Sequence, residues 1–164
     1  MLSLGEGEGR NAVWLATQGF SVVAVDASSV GLEKAQRLAA QRGVVIKTIV
    51  DDLATFRPSP GAYDAVVSIF VHLPPVYRAT VHRAAEHALK PGGWVIVEAF
   101  TPRQLGLASG GPKQAAWLYE PATLRADFAG VAWEALDEVE VELDEGPFHQ
   151  GRAAVVRGTG QRRG

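Results

Sequence analysis

The chain has 164 residues, no cysteine and a formal net charge of −2 at pH 7. The length is typical of one domain, and the lack of cysteine excludes disulfides, thiolate metal sites and a cysteine nucleophile. The weak negative charge gives no general attraction to nucleic acid or to an acidic membrane. No apolar run approaches the roughly 18 residues that a membrane span needs, and the first residues lack the features of a signal peptide. We therefore expect a cytoplasmic domain, with neither nucleic acid nor membrane as its partner.

Short apolar segments alternate with helical patterns over the first hundred residues. Strands are predicted at residues 1–4, 21–25, 44–50, 63–71 and 94–100. Helices are predicted between them at residues 11–18, 28–41 and 75–89. Nearly continuous apolar strands that are separated by helices are typical of a parallel sheet covered on both faces. The first two thirds of the chain thus predict an α/β domain.

The pattern changes after residue 100. Residues 101–113 form a loop rich in glycine and proline, and Pro121 is placed to open a short helix. Residues 132–144 then alternate between apolar and acidic side chains, which is typical of a half-buried strand. A last apolar run at 152–156 predicts the antiparallel partner of that strand, and we expect the polar end of the chain, residues 159–164, to fray.

A glycine-rich segment joins the first predicted strand to the first predicted helix. Gly5–Gly9 reads G-E-G-E-G, and glycines let a backbone turn tightly and approach a ligand closely. Asp26 ends the second strand, 21 residues after Gly5. A carboxylate about 20 residues after the first glycine binds ribose hydroxyls in dinucleotide folds. The spacing favours an adenosine-containing ligand over a plain tight turn.

The acids of this loop indicate which adenosine ligand it suits. Arg10 stands where the NAD fingerprint has its last glycine. Glu6 and Glu8 would repel a pyrophosphate, because a helix N-terminus offers only about half a unit of positive charge against them. A ligand that carries an ammonium and a sulfonium suits such a loop better, and S-adenosylmethionine carries both.

Five segments, in chain order, resemble the motifs of the class I S-adenosylmethionine-dependent methyltransferases. Leu4–Gly9 resembles the first motif, Val25-Asp26 the ribose-binding acid, and Asp51–Leu53 the acidic turn that touches the adenine amine. Tyr63–Val67 resembles the motif of the fourth strand, and Leu89–Gly93 the turn before the fifth. The resemblance implies that S-adenosylmethionine is the cofactor and that its methyl group passes to a small-molecule nucleophile.

A finer resemblance is to the tellurite-resistance methyltransferase group, which implies a role in detoxification. The segments that carry it are Gly5–Ala12, Phe70–Pro74, Gln104–Gly106, Gly110–Lys113, and Glu145-Gly146 with His149.

The family resemblance also implies a fold. It is a doubly wound, Rossmann-like sheet of seven strands in the order 3-2-1-4-5-7-6, mostly parallel with an antiparallel C-terminal hairpin. We expect the methyltransferase domain to span residues 1–158 and residues 159–164 to form a flexible tail.

The site residues that the resemblance implies lie in these motifs. The cofactor-binding residues are expected to be Gly5, Glu6, Gly7, Gly9, Arg10, Asn11, Asp26, Ala27, Asp52, Leu53 and Ile69. His72, after the fourth strand, is the candidate catalytic residue, with a structural hydrogen bond at the strand end as the alternative. A base is optional, because in-line placement beside an activated sulfonium can supply most of the acceleration. His82 and His87 lack the spacing of a zinc pair, so we expect them at the surface and no metal in the site.

Two features depart from the family pattern. The family usually has an acid two positions before the first glycine, where this chain has Ser3, and Glu6 or Glu8 is the candidate substitute. A family helix ahead of the first strand is missing, since four residues precede the glycine loop. We therefore expect an open cofactor cleft, weak activity, apolar surface near Leu2 and Leu4, and a homodimer that covers it.

Two other functions stay open at this point. One is an NAD-dependent oxidoreductase, which Arg10 and the two loop acids disfavour. The other is a non-catalytic or partner-dependent nucleotide-binding module. The methyl acceptor is not encoded in any motif, because specificity lies in loops such as residues 101–113.

Overall fold

The structure, a computed structural model, describes residues 1–144 and 150–164. Its strands are β1 (Leu2–Leu4), β2 (Val23–Asp26), β3 (Lys47–Val50), β4 (Tyr63–Ile69), β5 (Leu89–Phe100), β6 (Val131–Asp144) and β7 (Gln150–Arg162). Its α-helices are α1 (Arg10–Thr17), α2 (Ser29–Gln41), α3 (Pro75–Ala88) and α4 (Pro121–Asp127). Short 3-10 helices lie at Pro102–Gly106 and Ala115–Trp117.

The strands form one sheet in the order β3-β2-β1-β4-β5-β7-β6. The first five strands pair in parallel, and β7 runs antiparallel between β5 and β6. This is the predicted order, so the predicted doubly wound fold with an antiparallel C-terminal hairpin is confirmed. The carboxyl ends of β1, β2, β3 and β4 share one edge of the sheet, which is where ligands bind in open α/β folds.

Helices cover the sheet on both faces. On one face, α1 and α2 pack apolar side chains such as Leu15 and Leu32 against Val67 of β4. On the other face, α3 and α4 bury Leu124 and Phe128 among residues of β1, β4 and β5. The side chain of Ser28 caps the start of α2, because its Oγ accepts a hydrogen bond from the Gly31 N–H at 3.0 Å.

The last strand is longer than predicted, and the expected flexible tail at 159–164 is wrong for most of its length. Thr159 pairs with Ile96 of β5, and β7 continues in register to Arg162. Gly158 and Gly160 suggest a loop, yet they are what the packing needs. A Cβ at Gly158 would lie 2.6 Å from the Leu136 Cδ1, and one at Gly160 would lie 2.7 Å from the Ala132 carbonyl oxygen.

The first strand is buried, which corrects the expectation of apolar surface near Leu2 and Leu4. Their side chains are 0% and 4% exposed, because β1 pairs on both sides and packs under α3. Apolar surface lies beside it instead, in a groove of about 560 Å³ that Phe20, Trp94 and Ile96 help to line.

The turn predicted at residues 90–93 is part of β5. Tyr63 pairs with Leu89 and Ala65 pairs with Trp94, so the four residues between Leu89 and Trp94 form a bulge opposite Asp64. The Lys90 Nζ lies 2.6 Å from an Asp64 carboxylate oxygen across that bulge.

Within residues 1–144 and 150–164, no helix is long and apolar enough to cross a membrane.

Candidate cofactor site

The glycine loop between β1 and α1 adopts a conformation that depends on glycine. Gly5, Gly7 and Gly9 have φ angles of 57°, 63° and 96°, in the left-handed region that other residues avoid. A Cβ at Gly5 would lie 2.8 Å from Val71, and one at Gly9 would lie 2.7 Å from Ala35 of α2. Gly7 has no atom within 4 Å of a Cβ position. Its open side is therefore where a ligand can approach the loop backbone.

Asp26 fastens this loop to the end of β2. Its Oδ2 accepts a hydrogen bond from the Gly7 N–H at 2.8 Å, and its Oδ1 accepts one from the Ser28 N–H at 2.8 Å. The carboxylate remains partly exposed at the carboxyl edge of the sheet, and the neighbouring Ala27 is exposed. The predicted spacing thus brings Asp26 into direct contact with the glycine loop.

Glu6 lies beneath the loop and does not project from it. Its Oε1 accepts hydrogen bonds from the backbone N–H groups of Asn11 at 2.9 Å and Ala12 at 2.8 Å. Its Oε2 accepts the hydroxyl of Ser3 on β1. Burial raises the pKa of Glu6 and repulsion from Asp26 adds to this, while the three hydrogen bonds oppose them. The predicted direct contact of Glu6 with a cofactor is replaced by contacts that join β1 to α1.

The other acid of the loop is exposed and paired. Glu8 forms a salt bridge with Lys34 of α2. Both acids that were expected to repel a pyrophosphate therefore have partners within the protein. Glu6 accepts N–H groups at the start of α1, and Glu8 pairs with Lys34. Arg10 lies at the start of α1 and lines an outer groove between α1 and α2 together with Trp14 and Arg42.

The remaining predicted cofactor residues end the neighbouring strands. The Asp52 Oδ1 accepts a hydrogen bond from the Ala54 N–H at 2.9 Å, which shapes the turn after β3 and leaves Asp52 exposed. Leu53 packs against the core beside it. Ile69 is the last residue of β4 and is partly buried. The structure therefore places these residues along the same edge of the sheet as Asp26 and the glycine loop.

The geometry of His72 does not support the predicted catalytic role. Its Nδ1 lies 2.8 Å from the Trp117 carbonyl oxygen, and its Nε2 accepts the Phe100 N–H at 3.2 Å. This pattern assigns the proton to Nδ1 and makes the ring neutral. Because both nitrogens are bonded to the backbone, neither is placed to accept a substrate proton. His72 links the ends of β4 and β5 to the following loop, which is the structural alternative.

His82 is buried, so the expectation of a surface position is wrong for it, whereas His87 is exposed. The His82 Nδ1 and the Arg78 Nε both bond the Asp127 Oδ2, at 2.8 and 2.7 Å. Burial opposes ionisation of Asp127, yet the hydrogen bonds from His82 and Arg78 hold its pKa below the usual range. Asp127 lies 45 residues after His82 and 49 after Arg78, so helical spacing alone could not reveal these contacts.

Two features near the carboxyl ends of β4 and β5 were not predicted. Phe70 follows β4 with a φ of 54°, and its ring stacks on that of Phe100 with centroids 4.6 Å apart. Gln104 is buried and holds the loop after β5 on β7, since its Oε1 accepts the Ala154 N–H at 2.9 Å and its Nε2 donates to the Ser109 Oγ at 2.8 Å. His149, which carried part of the finer resemblance, lies outside the described residues.

Comparison with known proteins gives the class. A family model described as a methyltransferase domain matches residues 1–93. The match covers more than half of the chain, which therefore belongs to the methyltransferase domain family.

Two curated relatives match about three fifths of the chain. The ubiquinone biosynthesis O-methyltransferase of Chromobacterium violaceum is 36% identical over 100 residues, which cover 58% of this chain and 41% of the relative. The 2-heptyl-1-hydroxyquinolin-4(1H)-one methyltransferase of Mycobacteroides abscessus is 29% identical over 103 residues, which cover 61% and 45%. The matched regions span less than half the length of these relatives.

Solved structures share the fold along the whole chain. A SAM-dependent methyltransferase from Methanosarcina mazei superposes with a TM-score of 0.79 at 17% identity, covering 99% of this chain and 91% of the other. TehB from Haemophilus influenzae gives a TM-score of 0.77 at 17% identity, covering 99% of this chain and 57% of the other. At such identities these likenesses establish the fold alone.

Proposed function

We propose that the chain binds S-adenosylmethionine over the glycine loop and transfers its methyl group to a small-molecule nucleophile. The observation that carries the proposal is the joint placement of the open side of Gly7 and the partly exposed carboxylate of Asp26 at the carboxyl edge of the sheet. Membership of the methyltransferase domain family supports the same cofactor.

Each part of the cofactor has residues that suit it. The backbone at Gly7 can approach the methionine portion closely, and Asp26 keeps partial exposure for the ribose hydroxyls. Asp52 and Leu53 offer a carboxylate and an apolar side chain to the adenine. Arg10 lies in a groove on the outer side of α1, so we leave it out of the proposed contacts.

The chemistry asks for alignment more than for proton transfer. S-adenosylmethionine held by the backbone at Gly7 and by Asp26, Asp52 and Leu53 would supply a methyl group that is already activated by its sulfonium. The chain contributes binding and orientation, which convert a bimolecular reaction into one within a complex. His72 is neutral and both of its ring nitrogens are hydrogen-bonded to the backbone, which is consistent with a reaction that needs no base at this position.

An aromatic hydroxyl is the acceptor that we favour. The two curated relatives are named for a ubiquinone pathway and for a hydroxyquinolone. In this chain the partly buried Phe70 follows β4 and stacks on the buried Phe100 at the end of β5, and partly buried Val139 and Val141 pack in the same cluster. Aromatic side chains of this kind stack offset on aromatic ligands.

Membership of the tellurite-resistance group, with a detoxification role, is the second candidate and rests on the motifs named above.

Transfer of a labelled methyl group tests the proposal. The chain is incubated with methyl-labelled S-adenosylmethionine and, in parallel, with a catechol, an N-hydroxyquinolone or tellurite, and products are separated by mass. We expect label on the oxygen of an aromatic acceptor. Label in the tellurite sample alone would favour the detoxification role, whereas hydride transfer with NAD would support an oxidoreductase.

The homodimer and the cytoplasmic location also remain proposals. The groove beside β1, lined in part by Phe20 and Trp94, is an apolar surface that a second copy could bury. Phe20 is 50% exposed. Sedimentation equilibrium of the chain and of Phe20→Glu tests the dimer, which the added charge should dissociate.

A further inference from the structure

The buried carboxylate of Glu6 occupies a central position in the cofactor loop. It is 7% exposed and reaches three groups outside its own turn: the Ser3 hydroxyl on β1 and the first two backbone N–H groups that follow Arg10 in α1. These contacts tie the strand before the glycines to the helix after them. The side chain thus bridges both ends of the loop whose conformation shapes the cofactor site.

We propose that Glu6 is a positioning residue whose ionised carboxylate holds the glycine loop in its binding conformation, so that binding of a cationic cofactor is coupled to release of a proton from Glu6. The inference deepens the function proposed above and depends on it for the identity of the ligand. Nothing in it requires contact between Glu6 and the cofactor.

The hydrogen-bond pattern explains why the ionised form is the one that positions the loop. Both oxygens of Glu6 accept: one takes two backbone N–H groups, and the other takes the Ser3 hydroxyl. A protonated carboxyl would have to donate its O–H to the Ser3 hydroxyl, which reverses that bond, and its neutral oxygen would accept the Asn11 and Ala12 N–H groups more weakly than an anion does. The start of α1 adds its partial positive charge, which also favours the anion.

The coupling follows from the charges that face Glu6. Asp26 at the end of β2 is the charged group that repels it, and together with burial this raises the pKa of Glu6. From α2, Lys34 is already paired with Glu8, and the groups that β1 and α1 present to Glu6 are uncharged donors. A cation bound over the loop would attract the carboxylate and lower that pKa again. Cofactor affinity should therefore increase as pH rises through the pKa of Glu6.

Glu8 provides a matched control, because it is the same residue type two positions along the same loop. Its side chain is 68% exposed and forms a salt bridge with Lys34. The variants Glu6→Gln and Glu8→Gln each remove one negative charge from the glycine loop, at positions two residues apart. Only the first removes a carboxylate that reaches β1 and the start of α1.

Titration calorimetry with S-adenosylmethionine, in two buffers of different ionisation enthalpy, measures both affinity and proton release. At pH values low enough for Glu6 to be partly protonated before binding, we expect proton release for the wild-type chain and for Glu8→Gln, and none for Glu6→Gln. Loss of one charged hydrogen-bond network should weaken binding by Glu6→Gln about 10-fold. Wild-type affinity and undiminished proton release in Glu6→Gln would overturn the proposal.

Moving the carboxylate to another position tests whether its location, and not the glutamate at position 6 as such, holds the loop. Because the Ser3 hydroxyl already touches the Glu6 carboxylate, an aspartate at position 3 brings its charge to the same place. The double variant Ser3→Asp/Glu6→Ser should recover most of the affinity that Glu6→Gln loses. No recovery in a folded double variant would contradict the positioning role.

Hydrogen exchange keeps this inference distinct from the proposed function. The amides of Asn11 and Ala12 donate to Glu6, so their protection should fall in Glu6→Gln and not in Glu8→Gln. If the wild-type chain binds no S-adenosylmethionine but these amides lose protection, the proposed ligand is wrong and the positioning role stands. Unchanged protection in Glu6→Gln would show that Glu6 does not hold the loop.

Discussion

At the scale of single residues, the site is organised by carboxylates that accept backbone N–H groups. Asp26 receives the N–H of Gly7 and of Ser28, and Glu6 receives those of Asn11 and Ala12. Each acid therefore connects the glycine loop to a neighbouring element. The residue types and their spacing predicted Asp26 and Glu6 as cofactor-binding residues. Only the structure gives the direction in which each carboxylate points.

Asp26→Asn tests the ribose contact. The amide keeps the shape of the side chain but loses the charge, and charge-assisted hydrogen bonds are about twice as strong as neutral ones. We expect cofactor binding to weaken by about 2 kcal/mol, measured by calorimetry with S-adenosylhomocysteine. Asp64→Asn, at the opposite end of the parallel strands, is the control and should bind as the wild-type chain does. Equal affinity of both variants would remove Asp26 from the site.

His72→Phe separates a structural histidine from a catalytic one. Phenylalanine retains ring contacts with Phe100 and Tyr119 but leaves the Trp117 carbonyl and the Phe100 N–H without their partner. We expect a loss of about 1–3 kcal/mol in the free energy of unfolding and nearly unchanged kcat for the folded fraction. A general base would instead cost roughly 10²–10⁴-fold in kcat, and that result would restore the catalytic role.

At the scale of elements, the parallel half of the sheet was predictable, and the C-terminal end of the last strand was not. Strands β2 and β4 are short, largely apolar runs, and α2 begins at a serine cap. The end of β7 contains Gly158 and Gly160 and reads as a loop, because its packing partners Leu136 and Trp133 lie on β6, more than twenty residues earlier. A contact between distant segments leaves no local signal.

Gly160→Ala tests whether that end is a packed strand. The new Cβ would lie 2.7 Å from both the Ala132 carbonyl oxygen and the Val131 Cγ1, so β6 must move. We expect unfolding to become easier by about 1–3 kcal/mol, measured by urea denaturation. Gly164→Ala meets open space and should be neutral. A neutral Gly160→Ala would mean that the flexible tail first expected is correct.

Asp127 joins α3 to α4, and its contribution to stability depends on pH. Its pKa is lowered in the folded state, so the stabilisation is present above the ordinary carboxyl pKa and disappears as pH falls through the lowered value. Asp127→Asn should be less stable than the wild-type chain by about 3 kcal/mol at neutral pH. Denaturant unfolding from pH 7 to pH 3 should show this difference shrinking in acid. A difference that is constant with pH would contradict the ionised Asp127.

At the scale of the whole molecule, the chain is a methyltransferase-family domain. Its candidate cofactor site lies at the carboxyl ends of its first four strands. The resemblance of five motifs predicted the strand order, which pattern and periodicity alone left as an α/β domain with a terminal hairpin. The buried contacts of His82 and the inward turn of Glu6 could not be predicted, because each depends on packing between segments that the chain brings together only on folding.

The identity of the cofactor decides the proposed function, and a binding titration measures it directly. Calorimetric titration of the chain with S-adenosylmethionine, S-adenosylhomocysteine and NAD, under the same buffer, compares the three ligands at one site. We expect saturable binding of both S-adenosyl compounds at one site per chain, weakened in Asp26→Asn, and no binding of NAD. Binding of NAD, with neither S-adenosyl compound bound, would contradict S-adenosylmethionine as the cofactor.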